Sequence, residues 1–463
     1  MMTHAIPAAE HAARRERLLG DVGGPILLLG GRVRDRNLPG YGYPFRQDST
    51  FLYLTGCTLP DAVALVTSEG STLFLPPTAE GDALWHGEVP TADAIRESHG
   101  FDRILPRDEL ARHVTPATRA LACSDAAVNA EASAHLGRPL SWGREHGDAE
   151  LVRAIIRMRR RKSPTELDAV RAIGRRTRLA FEAVMRATRP GVSEQALNAL
   201  FEAVLASRGN ETGYATILTQ RGEILHNHAH DGILEAGRLL LLDGGGEAPS
   251  GYGCDITRTW PVNGRFDARQ RAAYAAVLEA QLASIATVRV GVEYRSVHDA
   301  SSLVIARFLA DERLISCDPE TAVEIGAHAL FFPHGVGHHL GLDVHDMENF
   351  GDLPSYPDGV GRSDQFGTRY LRLNLPLEAD WVVTIEPGFY VVPAILRDPV
   401  LRERFAGVVD FARAESWIGF GGIRIEDDVR VTADGREVLT DVPKEIVEIE
   451  GIVGSGDPFR DLL

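Results

Sequence analysis

The stretch that decides the fold begins at Leu239 and reads Leu-Leu-Leu-Leu-Asp243-Gly-Gly-Gly, and twelve residues after Asp243 the chain continues as Asp255-Ile-Thr-Arg-Thr-Trp-Pro261. Both segments are typical of β-strands. A carboxylate at the end of a buried strand is unfavourable unless it is paired with a cation or holds a metal ion. If the two strands are neighbours, Asp243 and Asp255 converge on one site. The pattern is equally compatible with two aspartates that only cap the glycine turn and the following strand.

Two more carboxylates occupy comparable positions further along the chain. The run Val382-Val-Thr-Ile ends in Glu386 and then turns at Pro-Gly, whereas Glu426 lies within a second predicted strand, residues 423–431. Arg424 and Glu426 are two residues apart, so their side chains face the same side of that strand. We expect Arg424 to hold a neighbouring carboxylate through two hydrogen bonds. A plain ion pair between Arg424 and Glu426 explains the same spacing.

A short segment between these carboxylates is rich in histidine. It reads Pro333-His334-Gly-Val-Gly-His338-His339-Leu-Gly-Leu-Asp-Val-His345. A single histidine on an apolar face is usually a core residue, but four in one glycine-rich stretch indicate a metal-ligand or acid-base site. His334 and His338 have the spacing of a helical zinc pair, yet the glycines between them disfavour a helix.

The bulk composition excludes several classes of function. The formal net charge of −16 is unsuited to binding a nucleic-acid backbone or an anionic membrane. Residues 1–19 are too charged for a signal peptide, and no segment has the roughly 20 apolar residues of a membrane helix. The four cysteines are far apart, which disfavours a disulfide framework or a zinc cage and fits a reducing cytoplasm. We therefore expect a cytoplasmic protein with neither nucleic acid nor membrane as partner.

A length of 463 residues predicts two or three domains. Between residues 25 and 125, short apolar runs separated by Gly, Pro and Asp predict a small α/β domain. The sequence Ser163-Pro164-Thr-Glu166 is typical of a helix start, with Ser163 as cap, Pro164 at the first helical position and Glu166 completing a capping box. This places a domain boundary near residue 160, and the strands and amphipathic helices beyond it predict a second mixed domain.

Taken together, the site residues resemble the metal ligands of the aminopeptidase P and prolidase branch of the pita-bread metallopeptidases. The resemblance extends to residues 45–56, a signature of that branch's N-terminal domain, and to the interdomain link at 159–167. It implies an α+β fold with a C-terminal pita-bread (creatinase/aminopeptidase) catalytic domain at 161–463. A smaller α/β domain at 1–160 precedes it and serves oligomerisation and substrate access. The ligand set that the resemblance implies is Asp243, Asp255, His338, Glu386 and Glu426.

One departure from the family pattern lies between the two aspartates. The loop from Asp243 to Asp255 is one residue longer, and Cys254 replaces a smaller residue. Loop insertions change stability little, so we expect the strand pairing to survive, with Cys254 as a small buried neighbour.

The resemblance also implies a cofactor and a mechanism. Four carboxylates and one imidazole form an oxygen-rich site that suits two divalent ions, with Mn²⁺ preferred and Co²⁺ or Zn²⁺ as substitutes. A hydroxide held between the two ions then attacks the scissile carbonyl, and Glu386 accepts a proton. His345 matches a histidine that stabilises the oxyanion, and His334 and His226 match two further substrate-site histidines.

The implied activity is that of an Xaa-Pro aminopeptidase, which releases the N-terminal residue from peptides with proline in the second position. The alternative is an Xaa-Pro dipeptidase, or prolidase, because Arg372 matches an arginine that binds a dipeptide's free carboxylate. A more remote alternative is a metal-free pita-bread binding module. Such relatives have lost metal ligands that this chain keeps.

Trp85 matches a family tryptophan that reaches from one subunit's N-terminal domain towards a neighbour's active site. An indole supplies a large rigid apolar face that suits a proline ring. The resemblance therefore implies a homodimer or homotetramer, and the alternative is an ordinary core tryptophan.

Overall fold

The computed structural model describes residues 6–78, 81–88, 90–142 and 147–456, and all that follows concerns these residues. The chain divides into two compact units. The first contains Met1–Arg159 together with Met347–Pro354, and the second contains Arg160–Asp346 and Ser355–Leu463.

The first unit contains a mixed sheet and several helices. The strands are β1 (Ile26–Leu29), β2 (Val63–Thr67), β3 (Gly70–Leu75), β4 (Arg103–Pro106) and β5 (Arg119–Ala120). They lie in the order β4-β3-β2-β1-β5, with β2 antiparallel to both neighbours and the outer pairs parallel. The helices are α1 (Ala8–Val22), α2 (Ser49–Thr55), α3 (Asp82–His86), α4 (Ala92–His99), α5 (Ala126–Leu136) and α6 (Ala149–Arg160).

The second unit begins with the helix that the sequence predicts. The Ser163 hydroxyl accepts a hydrogen bond from the Glu166 amide, and the Glu166 carboxylate accepts one from the Ser163 amide. The predicted capping box is therefore confirmed. The helices of this unit are α7 (Pro164–Ala187), α8 (Glu194–Ala206), α9 (Ala268–Thr287), α10 (Tyr294–Asp311), α11 (Pro319–Ile325), α12 (Pro393–Leu396), α13 (Pro399–Arg404), α14 (Phe411–Glu415) and α15 (Ile446–Ile452).

Short antiparallel strands in this unit contain or flank the carboxylates predicted as metal ligands. They are β6 (Glu211–Thr212), β7 (Ile217–Thr219), β8 (Leu239–Asp243), β9 (Gly246–Glu247), β10 (Thr257–Pro261), β11 (Val382–Ile385), β12 (Gly388–Tyr390), β13 (Gly422–Arg424), β14 (Asp427–Thr432) and β15 (Gly435–Val438). They form the sheets β10-β8-β7 and β11-β14-β15 and the pairs β12-β13 and β6-β9.

Two helix pairs with similar connections pack with these sheets in one apolar core. The loops α7–α8 and α9–α10 both turn at a glycine with positive φ, 88° at Gly191 and 82° at Gly291. The amide of Gly191 donates to Leu234 and that of Gly291 to Leu377. Each pair is therefore tied at its turn to a segment that leads towards a strand. Buried aromatic residues from helices and strands fill the core, among them Phe181, Phe201, Trp260, Tyr274, Phe389 and Trp417.

The predicted strand 423–431 is wrong as a single strand. Its first part is β13, which pairs with β12, and its second part is β14, which pairs with β11. The exchange of partners falls at Ile425 and Glu426, opposite Glu386 and Pro387. Proline has no amide hydrogen and interrupts a ladder of hydrogen bonds, so both strands break at the same level. The predicted strand 255–261 is also shorter than expected, because β10 begins only at Thr257.

None of the described helices is both long and apolar enough to cross a membrane.

Candidate active site

A tight glycine turn brings Asp243 and Asp255 together. The strands β8 and β10 are antiparallel partners, so the residues that end one and precede the other meet at the same edge. A Cβ at Gly245 would lie 1.7 Å from the Cys254 carbonyl oxygen, so only glycine allows this approach. The Tyr214 hydroxyl lies 2.6 Å from Oδ1 of Asp243 and 2.5 Å from Oδ1 of Asp255. The convergence expected from the strand ends is therefore present. Cys254 is fully buried, in agreement with its interpretation as a small buried neighbour.

Glu386 and Glu426 lie opposite each other between the strand pair β11-β14 and the strand pair β12-β13. The Glu426 amide donates to the Thr257 carbonyl at 3.0 Å, and its Oε2 accepts from the Thr257 hydroxyl at 2.6 Å. Its other carboxylate oxygen, Oε1, is buried without a hydrogen-bond partner in the described part of the chain. Because an unpaired buried anionic oxygen is strongly unfavourable, this atom indicates a position for a cation.

His338 adds a nitrogen ligand beside these carboxylates. Its Nδ1 lies 3.0 Å from the His339 carbonyl oxygen. A carbonyl can only accept, so Nδ1 carries the proton and the lone pair is on Nε2. Nε2 lies 3.5 Å from Oδ2 of Asp255 and 3.6 Å from Oε1 of Glu386. The tautomer is therefore the one that a metal-binding histidine needs.

The predicted ligands, together with His345, form overlapping groups; within each group the donor atoms lie within 4.8 Å of one another. The groups are Asp243-Asp255-Glu426, His338-Glu386-Glu426 and Asp255-His338-His345. Burial and the neighbouring carboxylates raise the pKa of Glu426 well above its ordinary value, and burial raises that of Glu386 to about 7. The chain thus concentrates more negative charge than its own cations neutralise. An oxygen-rich cluster with one imidazole fits hard or intermediate divalent cations.

Arg424 holds one side of the cluster. Its Nη2 donates to Oδ2 of Asp243 at 2.5 Å, its Nη1 donates to the Tyr390 hydroxyl at 2.9 Å, and its Nε donates to the Thr257 hydroxyl at 3.1 Å. The guanidinium therefore orients Asp243 and the hydroxyl that binds Glu426. It contacts Asp243 through one hydrogen bond, so the expectation of a two-bond contact with a single carboxylate is wrong.

Comparison with known proteins agrees with this site. The family profile of Metallopeptidase family M24 matches residues 168–433, and that of the Aminopeptidase P N-terminal domain matches residues 11–122. The chain belongs to metallopeptidase family M24. The Xaa-Pro dipeptidase of Homo sapiens is 32% identical over 98% of this chain and 95% of its own length. A probable Xaa-Pro aminopeptidase of Verticillium alfalfae is 33% identical over 97% of each chain.

Solved structures of aminopeptidases are similar to this chain over nearly its whole length. Aminopeptidase PepP of Pseudomonas aeruginosa has 28% identity and a TM-score of 0.79 over 97% of this chain and 99% of its own. The low-pH form of Escherichia coli aminopeptidase P has 29% identity and a TM-score of 0.80, covering 97% of this chain and 98% of its own. The predicted α+β fold with an N-terminal domain before a pita-bread domain is confirmed. This M24 peptidase is an Xaa-Pro metallo-exopeptidase, so the interpretation as a metal-free binding module is set aside.

Two predicted site residues of this M24 peptidase, His334 and His345, lie beside the carboxylate cluster. The Nε2 of His334 lies 2.8 Å from the Tyr390 hydroxyl, and its Nδ1 lies 3.8 Å from Oε2 of Glu386. Burial, with repulsion from Arg424, lowers the pKa of His334 to about 3, so the ring is neutral. The ring of His345 lies 4.1 Å from that of His338.

His226 and Arg372 belong to the same region of the second unit. Partial burial, and then the charge of Arg424, lowers the pKa of His226, and Arg372 contributes in the same direction to both His226 and His334. Trp85 lies on α3 of the first unit, where 78% of its surface is exposed. It is therefore not a core tryptophan of its own chain.

Several residues that shape the site were not identified from the sequence, because their signal there is weak or absent. Tyr214 contacts two carboxylates, yet it follows an unremarkable loop and has no motif around it. Thr257 and Asp428 each lie two residues beyond a predicted ligand, a spacing that places side chains on one face of an extended chain. Asp428 accepts a hydrogen bond from the Asp255 amide at 3.1 Å. Strand periodicity was the one available signal for these two.

Proposed function

We propose that the chain is an Xaa-Pro aminopeptidase whose reaction depends on two divalent metal ions. The observation that carries the proposal is the convergence of four carboxylates and one imidazole around a buried carboxylate oxygen of Glu426 that has no hydrogen-bond partner among the described residues. The likeness to solved aminopeptidase P structures over 97% of the chain supports the aminopeptidase assignment.

By resemblance to the family, Asp243 would hold one ion, His338 and Glu386 would hold the other, and Asp255 and Glu426 would be shared between them. Two such ions supply Lewis acidity, which lowers the pKa of a water and polarises a carbonyl. The oxygen-rich ligand set favours Mn²⁺, and Co²⁺ or Zn²⁺ are substitutes.

The side chains around the ligands act on the proton and on the substrate. The carboxylate of Glu386, with one oxygen available for an ion and the other free, is suited to accept a proton from water and to return it to the leaving nitrogen. An N–H of His345 donates a hydrogen bond to the oxygen of the scissile carbonyl. His334, neutral because of burial, and His226 hold the peptide backbone of substrates with proline in the second position.

The second candidate is an Xaa-Pro dipeptidase, which one residue favours. Arg372 carries a charge close enough to His226 and His334 to lower the pKa of both, and a guanidinium there is suited to a dipeptide's carboxylate. Hydrolysis of Gly-Pro and Arg-Pro-Pro by the same preparation separates the candidates. Faster cleavage of Arg-Pro-Pro supports the aminopeptidase, and cleavage of Gly-Pro alone supports the dipeptidase.

The metal assignment is tested by two isosteric substitutions. Asp255→Asn and Glu426→Gln each remove a charge that both ions share, so we expect activity to be abolished and bound metal to fall in elemental analysis, with circular dichroism unchanged. Glu324→Gln, at an exposed position of α11, is the matched control. Normal turnover by either ligand variant contradicts the two-metal assignment.

We further propose that residues 1–160 form a domain for oligomerisation and substrate access. The exposed indole of Trp85 supports this role, since a large apolar side chain at the surface suits a contact with a second copy of the chain. A homodimer or homotetramer is the expected assembly, and sedimentation of the active enzyme tests it. The free thiols of all four cysteines support a cytoplasmic location.

A further inference from the structure

The side chain of Asp427 is buried next to Glu426 and receives an unusual number of hydrogen bonds. Adjacent residues of an extended chain point to opposite faces, so Asp427 faces away from the ligand cluster. It is fully buried and accepts from four side chains. The donors are Arg258 Nη2 at 2.7 Å, Lys444 Nζ at 2.7 Å, Thr440 Oγ1 at 2.8 Å and Gln281 Nε2 at 2.9 Å.

Arg258 connects the two segments that carry the shared ligands. Its Nη1 donates to the main-chain carbonyl of Thr257 at 2.9 Å and to that of Glu426 at 2.5 Å. Thr257 lies two residues after Asp255, so one guanidinium holds the backbone beside both ligands. The side chain of Arg258 has no exposed surface, and Asp427 is its carboxylate partner.

Lys444 completes this network from the C-terminal part of the chain. Its ammonium lies 2.8 Å from Oε1 of Gln281 and 2.7 Å from Oδ2 of Asp427, and 19% of its side chain is exposed. The chain has 49 lysine and arginine residues, of which two are lysine. A compact ammonium, which can donate to two oxygens at once, occurs here in a chain whose other basic residues, apart from Lys162, are arginine.

A gain in stability does not by itself explain a buried network of charged side chains. Replacement of buried ion pairs by apolar residues is often neutral or stabilising, because desolvation of the charges offsets their attraction. The charges of Arg258, Asp427 and Lys444 lie directly behind the ligand cluster. On the side away from the ligands, they stabilise the two backbone segments that the hydrogen bond from the Glu426 amide to the Thr257 carbonyl also joins.

We propose that Arg258, which bonds the backbone at Thr257 and Glu426, and Lys444, which acts through Asp427, are positioning residues. They hold Asp255 and Glu426 at the separation that shared metal ligands require. The inference rests on the proposed two-metal site. Partners that orient metal ligands typically change metal affinity or activity by about 10- to 100-fold when removed. We expect a change of that size here.

The test uses Lys444→Met, because the side chain is partly exposed and methionine keeps most of its stem. The matched control is Arg430→Met, which removes a cation of similar exposure from β14 whose partners are Asp380 and Glu437. Isothermal titration with Mn²⁺ alone and the visible spectrum of the Co²⁺-loaded protein report on ligand geometry without substrate. Steady-state kinetics separate kcat from KM.

For Lys444→Met we expect Mn²⁺ affinity to fall about 10- to 100-fold, the Co²⁺ spectrum to change, and kcat to fall with KM unchanged. Lys444→Arg, which keeps the charge, should recover most of the affinity. Wild-type affinity and spectrum in Lys444→Met overturn the proposal, and so does an equal loss in Arg430→Met, which indicates a general effect of stability. If Lys444→Met does not fold, Gln281→Met removes another donor to Asp427 and must shift affinity and spectrum in the same direction.

Failure of the proposed two-metal function and failure of the positioning role give different experimental results. Wild-type protein that binds no Mn²⁺ contradicts the proposed two-metal function itself. Wild-type protein that binds two Mn²⁺ ions, together with an unaffected Lys444→Met variant, contradicts only the positioning role.

Discussion

The raised pKa of Glu386 predicts a pH dependence of stability that can be measured in the absence of metal. Burial, with repulsion from Asp255 and Asp243, raises its pKa from 4.5 to about 7 against the attraction of His338 and Arg424. Because the folded chain binds this proton more tightly than the unfolded chain, the resulting stability is fully present below pH 4.5 and is lost as the pH rises through about 7. The pKa difference corresponds to about 3 kcal/mol of unfolding free energy.

The perturbation is Glu386→Gln, which replaces the titrating group with a neutral amide of the same shape. In the presence of a chelator, we expect wild-type protein to lose about 3 kcal/mol more than the variant between about pH 4.5 and pH 8. Urea unfolding at a series of pH values, followed by tryptophan fluorescence, measures this. Trp260, Trp381 and Trp417 are buried in the second unit, so the signal reports on the unit that carries Glu386.

Glu324→Gln, at an exposed position of α11, should follow the wild-type pH dependence. Parallel curves for wild type and Glu386→Gln would refute the reasoning, because they would mean that Glu386 has the same proton affinity in the folded and unfolded chains. Saturating Mn²⁺ should flatten the wild-type curve, since bound cations replace the proton as the partner of the carboxylates.

Other substitutions test separate parts of the site. Tyr214→Phe removes the hydroxyl that contacts two carboxylates and should weaken Mn²⁺ binding about tenfold in calorimetry, whereas wild-type affinity would exclude a role in orienting ligands. Arg372→Ala should reduce kcat/KM for Gly-Pro far more than for Arg-Pro-Pro, with a loss of transition-state stabilisation of about 2–5 kcal/mol for the dipeptide. Equal losses on both substrates would show that Arg372 does not determine specificity. Trp85→Ala should raise KM while elemental analysis finds the metal retained, and unchanged kinetics would contradict its proposed role. Lys162→Met removes the ammonium that lies 3.3 Å from the buried carboxylate of Asp346, so denaturant titration should find a loss of about 3–5 kcal/mol, and a loss below about 1 kcal/mol would show that the pair is not needed.

The local elements were predictable because their signals are local. The cap at Ser163 depends on residues within one helical turn, and the structure contains it as expected. The apolar run before Asp243 and the run before Glu386 also form strands with the predicted bounds. In each case the sequence signal lies within a few neighbouring residues, although the two strands pair with distant ones.

The strand break at Glu426 could not be predicted from the neighbouring residues alone. The run from Ile423 onwards alternates well enough for one strand, yet its two halves pair with different partners. The cause is Pro387, which lies in the opposing strand and interrupts the ladder there. A strand's continuity depends on its neighbour, and the neighbour is distant in sequence.

The sequence by itself determined the types and order of the proposed ligands, the resemblance to a metallopeptidase family and the bounds of the strands before Asp243 and Glu386. The tertiary structure alone decided which groups complete the site. Tyr214 lies between two carboxylates, Arg424 pairs with Asp243, and Arg258 holds the backbone at Glu426. These contacts join residues tens to more than a hundred positions apart. Burial then sets the proton affinities, because the free energy of a buried charge depends on all the groups that the fold brings around it.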